Sequence, residues 1–249
     1  MIMVVGDTKE GREIVQVLRD KNKIEEPYYE FRTIYGETIS RGVVFLQRGL
    51  NCPMTAHLIR KYKVRVLIDT IPIYFKGAST KVMSACKMTG VRYIKIEPPT
   101  ACLIEKQNIY KVGNMAEACD KAMNIGKTIF LNIGNNNLNI FTKRAALENK
   151  RIIVRVSEQG ALTNALKFGI ERHDVLFING IFSEAFNRGL IKEYDISVFV
   201  TRDLGSGNGT DQELSAAAAE NIPVVLLARP SLSYPEIFFD YNKLLREIL

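Results

Sequence analysis

Met1-Ile2-Met3-Val4-Val5-Gly6-Asp7-Thr8-Lys9-Glu10-Gly11-Arg12 opens the chain, and its reading decides the fold. So short an unbroken apolar run suits a strand in the middle of a parallel sheet, covered on both faces. Ile14, Val15, Val17 and Leu18 then recur at helical spacing, which predicts a helix from near Glu10. The first turn of that helix offers backbone N–H groups beside Gly6, where no Cβ obstructs a phosphate. The loop reads Gly-x-x-x-x-Gly. It lacks the Gly-x-Gly-x-x-Gly of dinucleotide folds and the Lys-Ser/Thr of a P-loop. On this stretch alone, a phosphate-binding loop and a plain strand-to-helix turn both stand.

Outward from this unit, strand-like runs alternate with helical stretches almost throughout, the pattern of parallel βαβ units. Tyr28–Ile34, Val43–Gln47, Val64–Ile68 and Tyr93–Ile96 read as strands, and Met54–Lys61 and Ser79–Met88 as helices, the latter closed by Gly90. Glu97-Pro98-Pro99 stops the series. Residues 97–112 show little apolar periodicity, so the domain junction is placed there, giving domains 1–111 and 112–249. The second series has strands Thr128–Ile133, Arg151–Val156, Val175–Ile178, Val198–Val200 and Val224–Leu227. Its helices are Met115–Met123, Gly160–Phe168, Ser183–Ile191 and Asp211–Glu220, with a closing helix inside Leu232–Leu249. The expectation is an α/β chain of two domains in tandem with parallel sheets.

Composition narrows the class. The chain has 249 residues, 47% of them hydrophobic, and no low-complexity tract, which argues for compact, ordered domains. Its apolar runs fall far short of the roughly 20 residues that span a bilayer. No basic segment precedes the first run, as a secretory signal would require. A cytoplasmic protein with no membrane partner is expected. Cys52, Cys86, Cys102 and Cys119 never fall as C-x-x-C, and with 2 histidines no metal-site spacing arises. Free thiols in a reducing compartment are the reading. Lys and Arg number 34 against 27 Asp and Glu, a net charge of +7 that favours a polyanionic partner. The densest basic regions, Arg60–Arg65 and Lys143–Arg155, do not interleave aromatics as a nucleic-acid platform would, so no nucleic acid is assigned. A small, multiply charged ligand and a merely solvated basic surface both remain.

In open parallel sheets, ligands gather at the carboxyl ends of the strands. Gly6–Arg12, Asp69-Thr70, Gly134–Asn137, Asn179-Gly180 and Thr201–Thr210 all fall at expected strand ends. Gly205-Ser206-Gly207-Asn208-Gly209 is the most glycine-dense of these, with Arg202 at its mouth as a fixed positive charge for an anion. Thr210-x-x-Glu213 reads as a capping box, which assigns Glu213 to the helix backbone. No nucleophile–base–acid set emerges. His57 falls in an expected helix and His173 in a loop, each without a partner at recognisable spacing. That absence suits chemistry carried by a bound cofactor.

Taken in order, several weak motifs carry a resemblance. They are Gly6-Asp7-Thr8-Lys9-Glu10-Gly11-Arg12, Thr33-Ile34-Tyr35-Gly36, Gly49-Leu50, Leu67-Ile68-Asp69, Phe130 through Gly134 to Leu138, Asn179-Gly180-Ile181-Phe182-Ser183-Glu184, and Val200-Thr201-Arg202-Asp203-Leu204-Gly205. Nearly end to end, the chain resembles the precorrin-6A and cobalt-precorrin-6A reductases of cobalamin biosynthesis. The resemblance implies an α/β fold of two Rossmann-like domains with parallel sheets, a nicotinamide cofactor and an anionic tetrapyrrole meeting in an interdomain cleft, and hydride transfer to a ring double bond. It assigns Gly6, Thr8, Glu10, Gly11, Arg12, Thr33 and Asp69 to the cofactor. Gly134, Gly180, Thr201, Arg202, Gly205 and Gly207 are assigned to the tetrapyrrole. NADPH is favoured over NADH because no acidic residue closes the second strand at Thr33-Ile34, with Arg32 as a 2′-phosphate contact.

The chain departs from the family pattern in several places. Asp7 replaces the second glycine of the first loop, and Thr70-Ile71-Pro72-Ile73-Tyr74 stands where Ala-Thr-His-Pro-Phe is usual. Ile181 replaces a proline, Arg202 a lysine, Pro98 an arginine and Glu213 a lysine. With the histidine gone, catalysis is expected to rest on cofactor placement, and the proton on water or a substrate carboxylate. The alternatives are a reductase of this fold with another anionic substrate, a non-catalytic nucleotide- or tetrapyrrole-binding protein, and a basic nucleic-acid binder.

Overall fold

A computed structural model describes residues 1–6, 8–20, 28–30, 43–45, 51–101, 108–134 and 137–248. The chain forms two compact units, Met1–Pro99 with Pro230–Leu249, and Thr100–Arg229.

The first unit begins with β1 (Ile2–Val5) and α1 (Lys9–Asp20), as the opening stretch predicts. The short strands β2 (Tyr28–Glu30) and β3 (Val43–Phe45) pair with each other in parallel. Then come α2 (Cys52–Lys61), β4 (Val66–Asp69), α3 (Lys76–Thr89) and β5 (Arg92–Ile96). Successive side chains of a strand point to opposite faces, so an all-apolar strand needs cover on both. Met3, Val5 and Leu67 pack with Ala56, Ile59 and Val82 on one face. Val4, Ile68 and Ile94 pack with Ile14 and Leu18 on the other.

The second unit runs β6 (Ile109–Val112), α4 (Met115–Ile125), β7 (Thr128–Asn132), α5 (Leu138–Glu148), β8 (Arg151–Val156), α6 (Gln159–Lys167) and β9 (Val175–Phe177). It continues with α7 (Glu184–Glu193), β10 (Val198–Arg202), α8 (Thr210–Ala219) and β11 (Val224–Leu227). Its sheet has the order β6-β11-β10-β7-β8-β9, every pairing parallel. From β7 the chain moves outward to β8 and β9, then returns to the other side of β7 with β10. That reversal opens the crevice where doubly wound sheets bind ligands, at the carboxyl ends of β7 and β10. Ile129 and Leu131 are buried against Ala118, Ala122 and Phe141, and Phe130 and Phe199 against Leu214 and Ala217.

The two units part the chain elsewhere than at the boundary expected after residue 111. β6 belongs to the second sheet, pairing Ile109 with Val224 through Val112 with Leu227. The last twenty residues return to the first unit, since Pro230–Leu249 belong there. Within them β12 (Ile237–Phe238) joins the edge of β5, and α9 (Tyr241–Ile248) follows. The order of the first sheet is thus β1-β4-β5-β12. Strand β12 is absent from the sequence reading, which assigns this tail to one helix. Leu244 and Leu245 of α9 are buried beside Val4, Ile14 and Ile94, completing that face of the sheet.

Leu244→Ala is expected to lower stability by about 2–5 kcal/mol, because it opens a cavity at a fully buried site. Urea unfolding of parent and variant checks this.

Candidate functional site

In the first unit, Gly6 and Asp69-Thr70 end the paired strands β1 and β4. Gly6 has φ +126°, and a Cβ there would lie 2.5 Å from Thr70 Oγ1 and 2.7 Å from the Ile71 nitrogen. A Cβ on Gly11 would come 2.6 Å from the same hydroxyl. The space that the sequence reading leaves for a phosphate beside Gly6 therefore holds Thr70. The Thr70 hydroxyl donates in turn to the Val5 carbonyl at 3.2 Å. The first turn of α1 presents exposed Lys9 and Arg12, and the Gly11 N–H donates to Thr8 Oγ1 at 3.1 Å. A helix N-terminus flanked by two cations is a donor set that fits a phosphate. Thr33, with Arg32 and Asp7, lies outside the described residues.

Asp69 sits where expected along the chain, yet its carboxylate points into the protein. It is fully buried and accepts from Tyr93 Oη (2.6 Å), the Ile71 N–H (2.7 Å) and Lys95 Nζ (3.2 Å). Lys95, also fully buried, donates as well to the Ile71 carbonyl and lies 5.6 Å from the Tyr234 ring. Asp69 thus braces the β4 loop from beneath, a role its sequence neighbours do not signal. Burial and then Asp69 hold the Tyr93 hydroxyl far above the ordinary phenol range, so it stays protonated as the donor. The same two causes push the Cys86 thiol up to about 12.

In the second unit, an open cavity of about 150 Å³ lies at the reversal point. Asn132 ends β7 and Gly134 follows it, Arg155 lies on β8 and Ser157 just after it, Asn179 to Phe182 follow β9, and Arg202 closes β10. Of the residues assigned to the tetrapyrrole, Gly134, Gly180 and Arg202 line this one cavity. Gly134 has φ +78°, and a Cβ there would stand 3.3 Å from the Arg202 guanidinium. A side chain at 134 would crowd the cation. Thr201 is fully buried behind the cavity. Gly205 and Gly207 do not line it. The Gly205 N–H donates to Asp203 and the Gly207 N–H to Asp211, so both shape the loop whose Leu204, Asn208 and Gly209 reach the cavity.

Glu213 is a correction. The N-cap of α8 is Gly209, and no side chain caps this helix. Glu213 is 3% exposed, and its carboxylate lies in the cavity wall instead of serving the helix backbone. It accepts from Thr201 Oγ1 and Asn132 Nδ2, each at 2.6 Å, and from Arg155 Nη2. Burial raises its carboxyl above the ordinary carboxylate range, against the pull of Arg155 and of the bonds from Thr201 and Asn132. Thr210 Oγ1 accepts from the Leu204 N–H and donates to the Arg202 carbonyl, so its hydroxyl ties the loop together. Asn132 and Arg155 are site residues that the sequence reading misses. The only signal for Arg155 is a cation set between Val154 and Val156 in a strand whose interior is otherwise apolar. His57 and His173 are exposed and line no part of this cavity. Among the described residues, no cluster of His, Cys, Asp and Glu could hold a metal ion, and no helix is long and apolar enough to cross a membrane.

A family model described as precorrin-6x reductase CbiJ/CobK matches residues 1–248. The chain belongs to this family. It is an oxidoreductase of cobalamin biosynthesis. Its relatives include the cobalt-precorrin-6A reductase of Methanocaldococcus jannaschii, 26% identical over 99% of this chain and 97% of that one. The Methanococcus maripaludis enzyme of the same name is 30% identical over 70% of this chain and 67% of its own. Among solved structures, "CobK precorrin-6A reductase" superposes with a TM-score of 0.80 at 18% identity, covering 99% of this chain and 95% of that one, which shows the fold.

Two stability predictions follow from the geometry. Gly6→Ala is expected to cost about 1–3 kcal/mol in backbone strain alone, with the collision against Thr70 added to it. The control Gly77→Ala, on an exposed helix face with nothing within 4 Å of its Cβ, should be neutral or stabilising by about 0.5–1 kcal/mol. Thermal melts of the two variants decide. Arg155→Gln should cost about 3–5 kcal/mol by stranding a buried carboxylate, and Arg155→Gln/Glu213→Gln should recover most of that loss. Denaturant unfolding of the single and double variants measures the difference.

Proposed function

We propose that this protein reduces a ring double bond of precorrin-6A or cobalt-precorrin-6A, with NADPH, in preference to NADH, as hydride donor. The observation that carries this reading is the cation-lined cavity at the strand-order reversal of a chain matched by the family over residues 1–248. The cofactor, when bound, supplies the hydride. Of the loop Gly6–Arg12, the first turn of α1 holds its phosphates, since Thr70 fills the space beside Gly6: the α1 dipole favours an anion, and Lys9 and Arg12 outweigh the one carboxylate of that turn, Glu10. Thr8 fixes the first turn by accepting from the Gly11 N–H.

The tetrapyrrole's carboxylate fringe is met by Arg202 with the Gly134 and Gly180 loops, and Thr201, Gly205 and Gly207 set their shape. Thr201 does so through Glu213, which it holds at 2.6 Å. The second hydrogen arrives as a proton from water or a substrate carboxylate. Glu213 is the cavity's own carboxylate, and its oxygens already accept from Thr201, Asn132 and Arg155. Rate therefore depends on placement: a displacement of about 1 Å can cost roughly 100-fold.

Anaerobic turnover of precorrin-6A and its cobalt form, followed by loss of nicotinamide absorbance, tests the activity. Arg12→Gln should raise the KM for NADPH, and Arg202→Gln the KM for the tetrapyrrole, each by about tenfold or more for one lost charge-assisted contact. A parent inactive on both substrates with both nicotinamides refutes the reading in favour of a binding protein.

A further inference from the structure

Arg155 lies within β8, in a run that is otherwise apolar, and its side chain is only 9% exposed. A guanidinium carries five N–H groups. Its Nε donates to Asn132 Oδ1 at 3.3 Å, Nη1 to Asn187 Oδ1 at 3.3 Å, and Nη2 to Glu213 Oε1. Among the described residues these contacts engage each nitrogen once, which leaves one N–H on each Nη for an occupant of the cavity that Arg155 lines. The rings of Phe182 and Phe130 lie 5.2 and 6.0 Å from the guanidinium carbon. Pinned by three side chains and flanked by two rings, this cation is fixed before any ligand arrives. Its poor hydration strengthens a charge-assisted bond to that ligand.

The charge of the wall selects the ligand. With Glu213 ion-paired to Arg155, the formal charges of its members Arg155, Arg202 and Glu213 sum to one positive charge. A single carboxylate balances that charge, whereas a phosphate dianion overshoots it and faces Glu213 besides. Ser157 and Asn179 add neutral polar groups at the exposed rim. We infer that this cavity is a subsite for one carboxylate arm of the tetrapyrrole, anchored by Arg155 as a two-pronged donor, and that Glu213 is the positioning residue that aims it. The inference rests on the reading of the chain as a tetrapyrrole reductase.

The test titrates the full chain with uroporphyrin, a macrocycle fringed with carboxylate arms, by fluorescence quenching at low and raised salt. NADPH binding is measured in parallel by calorimetry. Arg155→Gln alone strands Glu213, so the deciding variant is Arg155→Gln/Glu213→Gln, which removes both charges at nearly constant shape. Its porphyrin affinity should fall about tenfold or more, with a shallower salt dependence, while NADPH affinity stays within about twofold. Arg155→Lys keeps the charge but loses the fork, and should remain about tenfold or more weaker than the parent. Porphyrin affinity in the double variant equal to the parent's overturns the inference and leaves Arg155 a structural ion-pair partner. A loss confined to NADPH also overturns it and assigns the cavity to a cofactor phosphate. Failure of the underlying reading looks different, for then the parent neither binds the porphyrin nor turns over precorrin-6A.

Discussion

Parallel pairing is the constraint on which the rest of this structure depends. Every described strand pair runs in the same sense, so each sheet collects the loops after its strands along one edge. The second sheet reverses its strand order beside β7, and the loops after β7 and β10 diverge there. Asn132, Gly134 and Arg202 meet at that divergence although some seventy residues separate the first from the last. Hydrogen-bond register, and nothing local, delivers them to one place. Hence the site consists of loop glycines and of side chains at the last turn of each strand.

Both units put a carboxylate at this edge and bury it, and in each case the carboxylate organises its neighbours. Asp69 holds Tyr93, Lys95 and the Ile71 amide. Glu213 holds Thr201, Asn132 and Arg155. A buried charge with several donors resists reorganisation because any single departure leaves it under-solvated. The loops above these carboxylates are therefore set by hydrogen-bond geometry more than by their own backbone preferences.

The alternation of strands and helices, and which strand ends would carry polar loops, was legible in the sequence because both follow from local periodicity. Misreadings arose where a distant partner decides. Asp69 looks like a ligand contact until Tyr93 and Lys95, 24 and 26 residues further on, turn it inward. Thr210-x-x-Glu213 has the spacing of a capping box, but Arg155 and Thr201 draw the carboxylate away from the helix end. Strand β12 is two residues long and exists only because β5 offers it an edge, so no periodicity could announce it. Arg155 was visible only as an oddity, a charge in a core strand whose justification lies on α7, α8 and β7.

The return of the terminal segment makes the first unit discontinuous, and this bears on the order of events during synthesis. While residues Thr100–Arg229 are complete, the first unit still lacks β12 and α9. The middle of the chain can thus close its core before the beginning can, reversing the usual N-to-C order. Until the last helix emerges, Val4, Ile14 and Ile94 have no Leu244 or Leu245 against them. Asp203 links the two crossing points meanwhile, accepting from the Ala101 N–H at 3.1 Å and from Arg229 Nη2 at 3.3 Å. One carboxylate thereby clasps both ends of the inserted unit, and the final twenty residues leave from a point already anchored.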